Sequence, residues 1–461
     1  MASDWEKVKL GDIFKVKHGF AFKGEYFSDT PTNNFLLTPG NFSTSGGFQD
    51  IKPKYYDGPI PDDYVLKPSQ IVVTMTDLSK QSDTLGYAVS IPDDGKVWLH
   101  NQRTGLLEFK KEYPSDPLFI SYLLRSHEYR SWIIGSATGT TVKHTSPTRI
   151  HDFECKIPPL SEQKAIAHIL GSLDDKIELN RQMNATLEAM AQALFKSWFV
   201  DFDPVIDNAL AAGNAIPDEL LERAEQRKGI EKKENSDIQS LFPNAFEFTE
   251  EMGWIPKGWE VTPVYEVADF INGSSFKSQY FSDENEGLPI IKIAEIKNGV
   301  SQQTNFTTQE MPEKYFIDDG SILFSWSGNP DTSIDTFIWT GGEGWLNQHI
   351  FNVVLHENSD RTFVYYLLKM LKPVFTEIAR DKQTTGLGHV TIKDMKRTYT
   401  IKPSALALEA FELHSNSIFE RWYQNLFSSR ELTKLRNTLL PKLMSGELRI
   451  QDAAALVDEV L

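Results

Sequence analysis

In two stretches of the chain, mostly apolar residues recur at alternating steps of four and three, which is the spacing of a coiled-coil seam. The first stretch lies within residues 159–200 and the second begins after residue 404, and their seams match at an offset of 245. We therefore predict two long helices. The seam positions include Ile166, Leu173, Ile177, Asn180, Leu187 and Leu194 in the first helix, and Ile418, Trp422, Asn425, Leu432 and Leu439 in the second.

An asparagine occupies the matching seam position of both helices, Asn180 and Asn425. A single amide in an apolar seam usually sets the register of a coiled coil, because only one alignment of the helices satisfies it. We therefore assign these two residues a structural role.

The region before each long helix mixes strand and helix patterns. Residues 70–76 and 321–327 have the composition of buried strands. Residues 119–134 and 363–379 have apolar side chains three and four positions apart, which predicts amphipathic helices. These patterns predict α+β domains at 1–158 and 251–403. The helical segments are 159–200 and, with a tail, 404–461, and a charged linker with one solvated helix occupies 201–250.

The two domains repeat one another. The phrase Gly-x-x-Phe-Lys-x-x-Tyr-Phe-Ser-Asp begins at Gly19 and again at Gly273, an offset of 254. Internal repetition indicates duplication of a structural unit. We predict two tandem globular α+β domains, each followed by a long helix, with pseudo-twofold symmetry. The shared phrase should belong to the scaffold, and the segments that diverge, such as 29–64 and 283–315, should distinguish the two copies.

Composition narrows the class of protein. The net charge is −17, but residues 1–157 carry 18 basic and 19 acidic side chains and are almost neutral. This distribution neither requires nor forbids a nucleic-acid partner. Cys155 is the one cysteine, which excludes a disulfide framework and a multi-cysteine zinc site. No apolar run is long enough to span a membrane and no signal peptide is evident, so we expect a cytoplasmic protein.

Motifs for catalysis are missing from the sequence. It has no phosphate-binding Gly-x-x-x-x-Gly-Lys-Ser/Thr loop, no Gly-x-Ser-x-Gly elbow and no His-Glu-x-x-His zinc helix. The Asn/Asp-Pro-Pro-aromatic loop of an adenine methyltransferase is also missing. We therefore predict neither a catalytic site nor a metal site.

The candidate chemistry lies in polar loops. Amide and arginine side chains can read base edges, but these amides can equally hold a backbone turn, and the recurrence of Asn-Gln in both copies favours the turn. Loops rich in glycine and threonine let the backbone approach a phosphate, and lysine or histidine adds charge. The candidate DNA-contacting residues are Lys23, Asn41, Asn101, Gln102, Arg103, Thr140, Lys143, His144, Lys277, Lys297, Asn347, Gln348, Thr385, His389 and Lys393.

Four segments together carry a family resemblance. IPPLSEQ (157–163) leads into the first long helix, which ends LFKSWFVDF (194–202). EMGWIPKGWEV (251–261) opens the second domain, whose helix ends LLPKLMSGEL (439–448). Over nearly its whole length the chain resembles the specificity (S) subunit of Type I restriction–modification systems. The resemblance implies two target-recognition domains, each reading half of a bipartite site in double-stranded DNA, spaced by an antiparallel coiled coil.

The same resemblance implies a non-catalytic subunit with protein partners. These would be two adenine-methyltransferase subunits and restriction (translocase) subunits. S-adenosylmethionine and ATP would be bound by those partners, and no cofactor by this chain. Two alternatives remain open: a duplicated scaffold that binds only proteins, and a subunit with methyltransferase or nuclease activity of its own.

Overall fold

The computed structural model describes residues 5–44, 46–50, 53–77, 79, 83–140, 142–229, 236–282, 285–301, 303–357, 360–383 and 386–461. The chain divides into two compact units. The first unit comprises Met1–Leu179 and Glu431–Leu461, and the second comprises Asn180–Arg430.

The strands of the first unit form two four-stranded sheets and two strand pairs. One sheet has the order β2-β10-β6-β8 and the other β3-β5-β4-β9, while β1 pairs with β12 and β7 with β11. The strands are β1 (Glu6–Lys9), β2 (Phe14–His18), β3 (Phe27–Ser28), β4 (Asn34–Leu36), β5 (Tyr55–Tyr56), β6 (Ile71–Thr74), β7 (Thr76–Asp77), β8 (Ala88–Ser90), β9 (Val97–Leu99), β10 (Thr104–Phe109), β11 (Lys143–His144) and β12 (Glu154–Ile157).

Short helices cover the β2-β10-β6-β8 sheet, and a long helix follows. The amphipathic segment predicted at 119–134 is two helices, because the chain turns at 124–126 and the hydroxyl of Ser126 accepts a hydrogen bond from Tyr129 N, as an N-cap does. The helices are α1 (Leu10–Ile13), α2 (Pro117–Leu123), α3 (His127–Gly135), α4 (Pro147–His151) and α5 (Leu160–Phe199).

The second unit repeats this architecture. Its main sheet has the order β16-β24-β20-β22, and a mixed sheet has the order β18-β17-β23-β19. Strand β15 pairs with β26, β21 with β25, and β13 with β14. The strands are β13 (Phe246–Thr249), β14 (Gly253–Pro256), β15 (Glu260–Pro263), β16 (Asp269–Asn272), β17 (Leu288–Ile291), β18 (Phe306–Thr307), β19 (Phe316–Ile317), β20 (Ile322–Ser325), β21 (Ser327–Gly328), β22 (Asp335–Ile338), β23 (Gly344–Leu346), β24 (Ile350–Val354), β25 (Gly388–His389) and β26 (Tyr399–Lys402).

The remaining helices lie between and after these strands. Helix α14 is the second long helix, and α15 follows it in the first unit. The helices are α6 (Asp203–Ala212), α7 (Leu221–Lys228), α8 (Ser236–Gln239), α9 (Ile293–Asn298), α10 (Pro330–Ser333), α11 (Arg361–Met370), α12 (Lys372–Asp381), α13 (Ile392–Met395), α14 (Ala405–Met444) and α15 (Ile450–Asp458).

The segment 201–250 is packed more extensively than a charged linker with one solvated helix would be. Val205 and Ile206 in α6 are fully buried. Asp203 in the same helix accepts hydrogen bonds from Arg223 in α7 at 2.7 Å. Burial opposes ionisation of Asp203, but Arg223 and neighbouring donors hold the pKa of its carboxyl below the usual value. The charged residues of this segment, which the sequence suggested were solvated, therefore include an ion pair that joins α6 to α7.

The seam of the long helices agrees with the sequence prediction. Within the second unit, Asn425 Nδ2 donates to Asn184 Oδ1 at 2.9 Å and Asn180 Nδ2 donates to Ser428 Oγ at 3.1 Å. The residue numbers rise along α5 as they fall along α14, so these segments run antiparallel. The other predicted seam residues are buried or pack against the cores: Ile166, Leu173, Ile177, Leu432 and Leu439 in the first unit, and Leu187, Leu194, Ile418 and Trp422 in the second.

Candidate functional site

In each unit three backbone segments meet beside the main sheet, and two hydrogen bonds join them. In the first unit Met75 N donates to Arg103 O and Thr145 N donates to Met75 O, both at 3.0 Å. In the second unit Trp326 N donates to His349 O at 3.3 Å, and Val390 N donates to Trp326 O at 2.9 Å. We call these segments the ladder site: 101–103, 75–77 and 143–145 in the first unit, and 347–349, 326–328 and 388–390 in the second.

The glycine of the repeated phrase explains why the ladder site recurs. Phe20 N donates to His100 O, and Ser274 N donates to Leu346 O, both at 2.8 Å. A Cβ atom on Gly19 would lie 2.0 Å from Asn101 O, and one on Gly273 would lie 2.2 Å from Asn347 O. Only glycine allows the two backbones to approach this closely. The phrase therefore positions the turn that begins at each asparagine.

The backbone carbonyls of the two asparagines close the turn in each unit. Asn101 O accepts hydrogen bonds from Thr104 N at 3.0 Å and from Thr104 Oγ1 at 2.9 Å. Asn347 O accepts one from Ile350 N at 3.3 Å, and the Asn347 side chain is 9% exposed. These bonds are made by the backbone, so the two roles that the sequence left open for the amide side chains, base reading and support of the turn, stay predictions.

The side chains after the asparagines face outward to different degrees. Gln102 and Arg103 are exposed, whereas Gln348 is half-buried and places Nε2 3.3 Å from His349 Nε2. Arg103 makes no side-chain hydrogen bond or ion pair with the residues that the structure describes. These side chains are the part of the ladder site that a ligand can reach.

The third segment of the ladder site is a short edge strand. Lys143 pairs with Asp77 and His144 with Thr76, and Thr76 Oγ1 lies 3.2 Å from His144 Nδ1. Thr140 is exposed before this strand. In the second unit His389 pairs with Ser327. Predicted residues from two distant parts of the sequence are thereby brought together in each copy.

A buried carboxylate that was not predicted from the sequence, that of Asp77, accepts hydrogen bonds beside this strand. Asp77 is 4% exposed, and its carboxylate accepts hydrogen bonds from Thr84 N and Ser79 N at 2.6 Å. Burial opposes the charge, but these donors hold the pKa of Asp77 below its usual value. The Asp77 carboxylate therefore joins Ser79 and Thr84 to β7, and its hydroxyl-bearing neighbours in the sequence were the available signal.

A buried histidine supports the first turn and was also missed. His100 is fully buried, and burial lowers its pKa to about 4, so the ring is neutral at neutral pH. Its Nε2 lies 3.1 Å from Thr104 O and donates to it. His100 is the additional residue in WLHNQ compared with WLNQ at 345–348. Its support of the turn is therefore specific to the first unit.

The remaining predicted residues lie in other surroundings. Asn41 is 3% exposed, with Oδ1 accepting from Thr38 N at 2.8 Å and Nδ2 donating to Gln49 O at 3.1 Å. The prediction that Asn41 contacts a ligand is corrected, because its amide is engaged within the protein. Lys297 is exposed and its Nζ donates to Thr332 O.

The two phrase lysines and Lys393 are exposed. Lys23 Nζ lies 3.6 Å from a Glu25 carboxylate oxygen, and 73% of the Lys23 side chain is accessible. The structure leaves these cations accessible but outside the hydrogen-bonded ladder. Thr385 lies outside the described residues.

Two aromatic residues of the second ladder site were not predicted. The rings of Trp326 and His349 lie 5.7 Å apart, and Trp326 Nε1 donates to Asn272 Oδ1 at 2.9 Å. Alignment of WLHNQR with WLNQH, with one gap, places His349 opposite Arg103. That alignment was the signal that would have identified His349.

Neither a membrane helix nor a metal cluster is found in the described ranges. No helix there combines the length and apolar character needed to cross a membrane. No group of three or more His, Cys, Asp or Glu side chains in those ranges is arranged to hold a metal ion.

Comparison with known proteins identifies the class. The sequence profile of the Type I restriction modification DNA specificity domain matches residues 2–189 and 256–404. The specificity subunit of Type I restriction enzyme HindI from Haemophilus influenzae is 29% identical over 365 residues, which cover 72% of this chain and 77% of that one. The MjaIX specificity subunit from Methanocaldococcus jannaschii is 25% identical over 473 residues, covering 97% and 94% of the two chains.

Among solved structures, an S subunit of a Type I system from M. genitalium aligns over 95% of this chain and 96% of its own, with a TM-score of 0.49 and 15% identity. The two profile matches span more than half of the sequence and fall on the two repeated domains. The chain therefore belongs to the Type I restriction modification DNA specificity domain family.

Proposed function

We propose that this chain is the DNA-specificity subunit of a Type I restriction–modification complex, and that each domain reads one half of a bipartite site through its ladder site. One observation carries the proposal. The same backbone ladder recurs in both units, yet the exposed side chains that it presents differ between them. A duplicated reader of two different half-sites needs this combination, because phosphate contacts position a domain and base contacts specify the sequence.

The charge distribution supports a division of labour with partner subunits. The chain carries a net charge of −17, which is unfavourable for tight binding to phosphates. Arg103, Lys143 and His144 nevertheless cluster at the first ladder site. We assign base reading to this chain and most of the phosphate contacts to its partners.

The proposed partners are two adenine-methyltransferase subunits and the restriction (translocase) subunits. Support comes from the HindI and MjaIX relatives, each named as the specificity subunit of a Type I restriction enzyme. In this assignment the methyltransferase subunits bind S-adenosylmethionine and the restriction subunits bind ATP, while this chain performs no catalysis. The complex would act on chromosomal DNA in the cytoplasm.

Domain exchange tests the proposal. The chain is co-produced with its methyltransferase subunits, and methylated adenines are mapped across a genome. We expect one bipartite motif, and replacing residues 1–158 with the corresponding domain of another specificity subunit should change one half of it only. Methylation without a sequence motif, or a change in both halves, would contradict the proposal. Methylation by this chain without partners would favour the enzymatic alternative.

A further inference from the structure

The two ladder sites can be matched residue by residue through their hydrogen bonds. Gly19 N donates to Thr104 O at 3.2 Å, and Gly273 N donates to Ile350 O at 3.0 Å, so Thr104 and Ile350 are equivalent. The carbonyl oxygen of the residue before each of them accepts a hydrogen bond from the middle segment of the ladder site, from Met75 N and Trp326 N respectively, which makes Arg103 and His349 equivalent. This correspondence follows from the backbone and does not depend on side-chain similarity.

At this equivalent position the two turns present different chemistry. Arg103 is exposed and makes no side-chain hydrogen bond with the described residues. His349 is exposed but constrained, since its ring lies 5.7 Å from that of Trp326 and its Nε2 lies 3.3 Å from Gln348 Nε2. The first turn thus presents an exposed cation, and the second presents an imidazole that packs against Trp326 and lies beside an amide.

The middle segment of the ladder site, 75–77 in the first unit and 326–328 in the second, also presents different side chains in the two units. Met75 donates its backbone N–H to Arg103 O, but Met75 is only 4% exposed, so its side chain does not lie beside the exposed Arg103 side chain. Its equivalent Trp326 is half-buried, and the hydrogen bond from its indole to Asn272 holds the ring in place. His18 pairs with Gly105 in β10, and Asn272 pairs with Phe351 in β24. Because Gly105 and Phe351 directly follow the equivalent residues Thr104 and Ile350, His18 is the equivalent of Asn272.

These side chains suit different bases. A guanidinium fork donates two hydrogen bonds to the O6 and N7 acceptors of guanine. Gln348 Oε1 is buried, so the amide offers its Nε2, which can donate to N7 of adenine, while a nitrogen of the neighbouring His349 ring can accept from N6. The geometry points to Arg103 as the reader of a guanine in the half-site of the first domain, and to Gln348 with His349 as readers of an adenine in the half-site of the second. This inference rests on the proposed function.

Reciprocal substitutions test it in the complete methyltransferase complex. Arg103→His and His349→Arg are compared with wild type by mapping methylated sites and by competition between duplexes that differ at one base pair. Arg103→His should reduce discrimination at one guanine roughly 5- to 150-fold, the range that one bidentate contact provides, and leave the second half-site unchanged. His349→Arg should alter only the second half-site, with gain of guanine at the altered position.

Arg103→Lys separates base reading from charge. Lysine keeps the positive charge and can still donate to O6 and N7, but it lacks the planar fork, so it should lose less discrimination than Arg103→His while retaining overall affinity. An unchanged unfolding midpoint for these exposed variants confirms that folding is intact. Unchanged half-sites in Arg103→His, or a loss of discrimination in Arg103→Lys as large as that in Arg103→His with overall affinity reduced equally for every sequence, would overturn the inference while leaving the proposed function standing. A wild-type complex without any bipartite motif would instead overturn the proposed function.

Discussion

The long helices pack at equivalent positions in the two units, but with different kinds of residue. We call this pair of equivalent positions the seam layer. In the first unit Asp174 in α5 accepts a hydrogen bond from Arg436 in α14 at 2.6 Å. At the offset of 245 that relates the helices, Asp174 corresponds to Phe419 and Ala191 to Arg436. Ala191 and Phe419 are fully buried in the core of the second unit. The equivalent layer is therefore ionic in the first unit and apolar in the second.

In the ionic layer of the first unit, the Asp174 carboxylate contacts two further side chains besides Arg436. The hydroxyl of Tyr122 donates to Asp174 Oδ2 at 2.7 Å, and Arg125 lies 3.5 Å from the same oxygen. Burial opposes ionisation of Asp174, but Arg125 and Arg436 hold the pKa of its carboxyl below the usual value. Arg436 is 3% exposed, so its guanidinium charge is buried and depends on this carboxylate for compensation. An apolar layer carries no such dependence.

Neutralising Asp174 should therefore have the largest effect on stability. Asp174→Asn leaves two arginines without their carboxylate, and we expect a loss of about 3 kcal/mol in the free energy of unfolding, at the low end for a broken buried ion pair. The low end applies because 24% of the Asp174 side chain is exposed. Urea denaturation measures the loss, and Asp175→Asn, at the exposed neighbouring position, is the matched control with little expected effect.

Two further measurements examine the origin of this loss. Asp174→Phe combined with Arg436→Ala recreates the layer of the second unit and should recover part of the stability, since apolar replacements of buried ion pairs are often neutral. The lowered pKa means that the carboxylate's contribution is complete above about pH 4 and is lost as the pH falls through the folded-state pKa. Asp174→Asn should lack this acid-dependent term. A double variant less stable than Asp174→Asn would show that the two layers are not interchangeable.

The glycine that begins the repeated phrase occurs in both units, so the same substitution can be tested in each. Gly19→Ala and Gly273→Ala each place a Cβ atom within 2.2 Å of a backbone oxygen, and we expect each to cost about 1–3 kcal/mol. Hydrogen exchange should locate the loss in β2 and β10 for Gly19→Ala, and in β16 and β24 for Gly273→Ala. Gly24→Ala lies in the same phrase, where an added Cβ meets nothing within 4 Å, and should be nearly neutral. Equal stability of Gly19→Ala and Gly24→Ala would disprove the close approach.

Sequence periodicity was sufficient for the scaffold and insufficient for the site. The seam residues and the duplicated domains follow from spacing and repetition, because packing repeats with a fixed period. The edge strand at Lys143 and His144 pairs with residues almost seventy positions earlier, and no local pattern indicates such a partner. Asn41 was misassigned for a related reason: an exposed amide and a buried amide that caps its own turn look the same in sequence.

The phrase lysines provide the smallest and most selective test, because they are equivalent in both units and therefore cannot distinguish the half-sites. Lys23→Gln removes an exposed cation 3.6 Å from Glu25, so the free energy of unfolding should change by no more than about 0.5 kcal/mol. If Lys23 contacts a phosphate, the slope of log affinity against log salt should fall in magnitude by about 0.9, equally for every sequence. Lys277→Gln should give the same change, and the methylated motif should stay as in wild type. An altered motif in either variant would mean that the repeated phrase reads bases, and the division between shared scaffold and divergent reader would then fail.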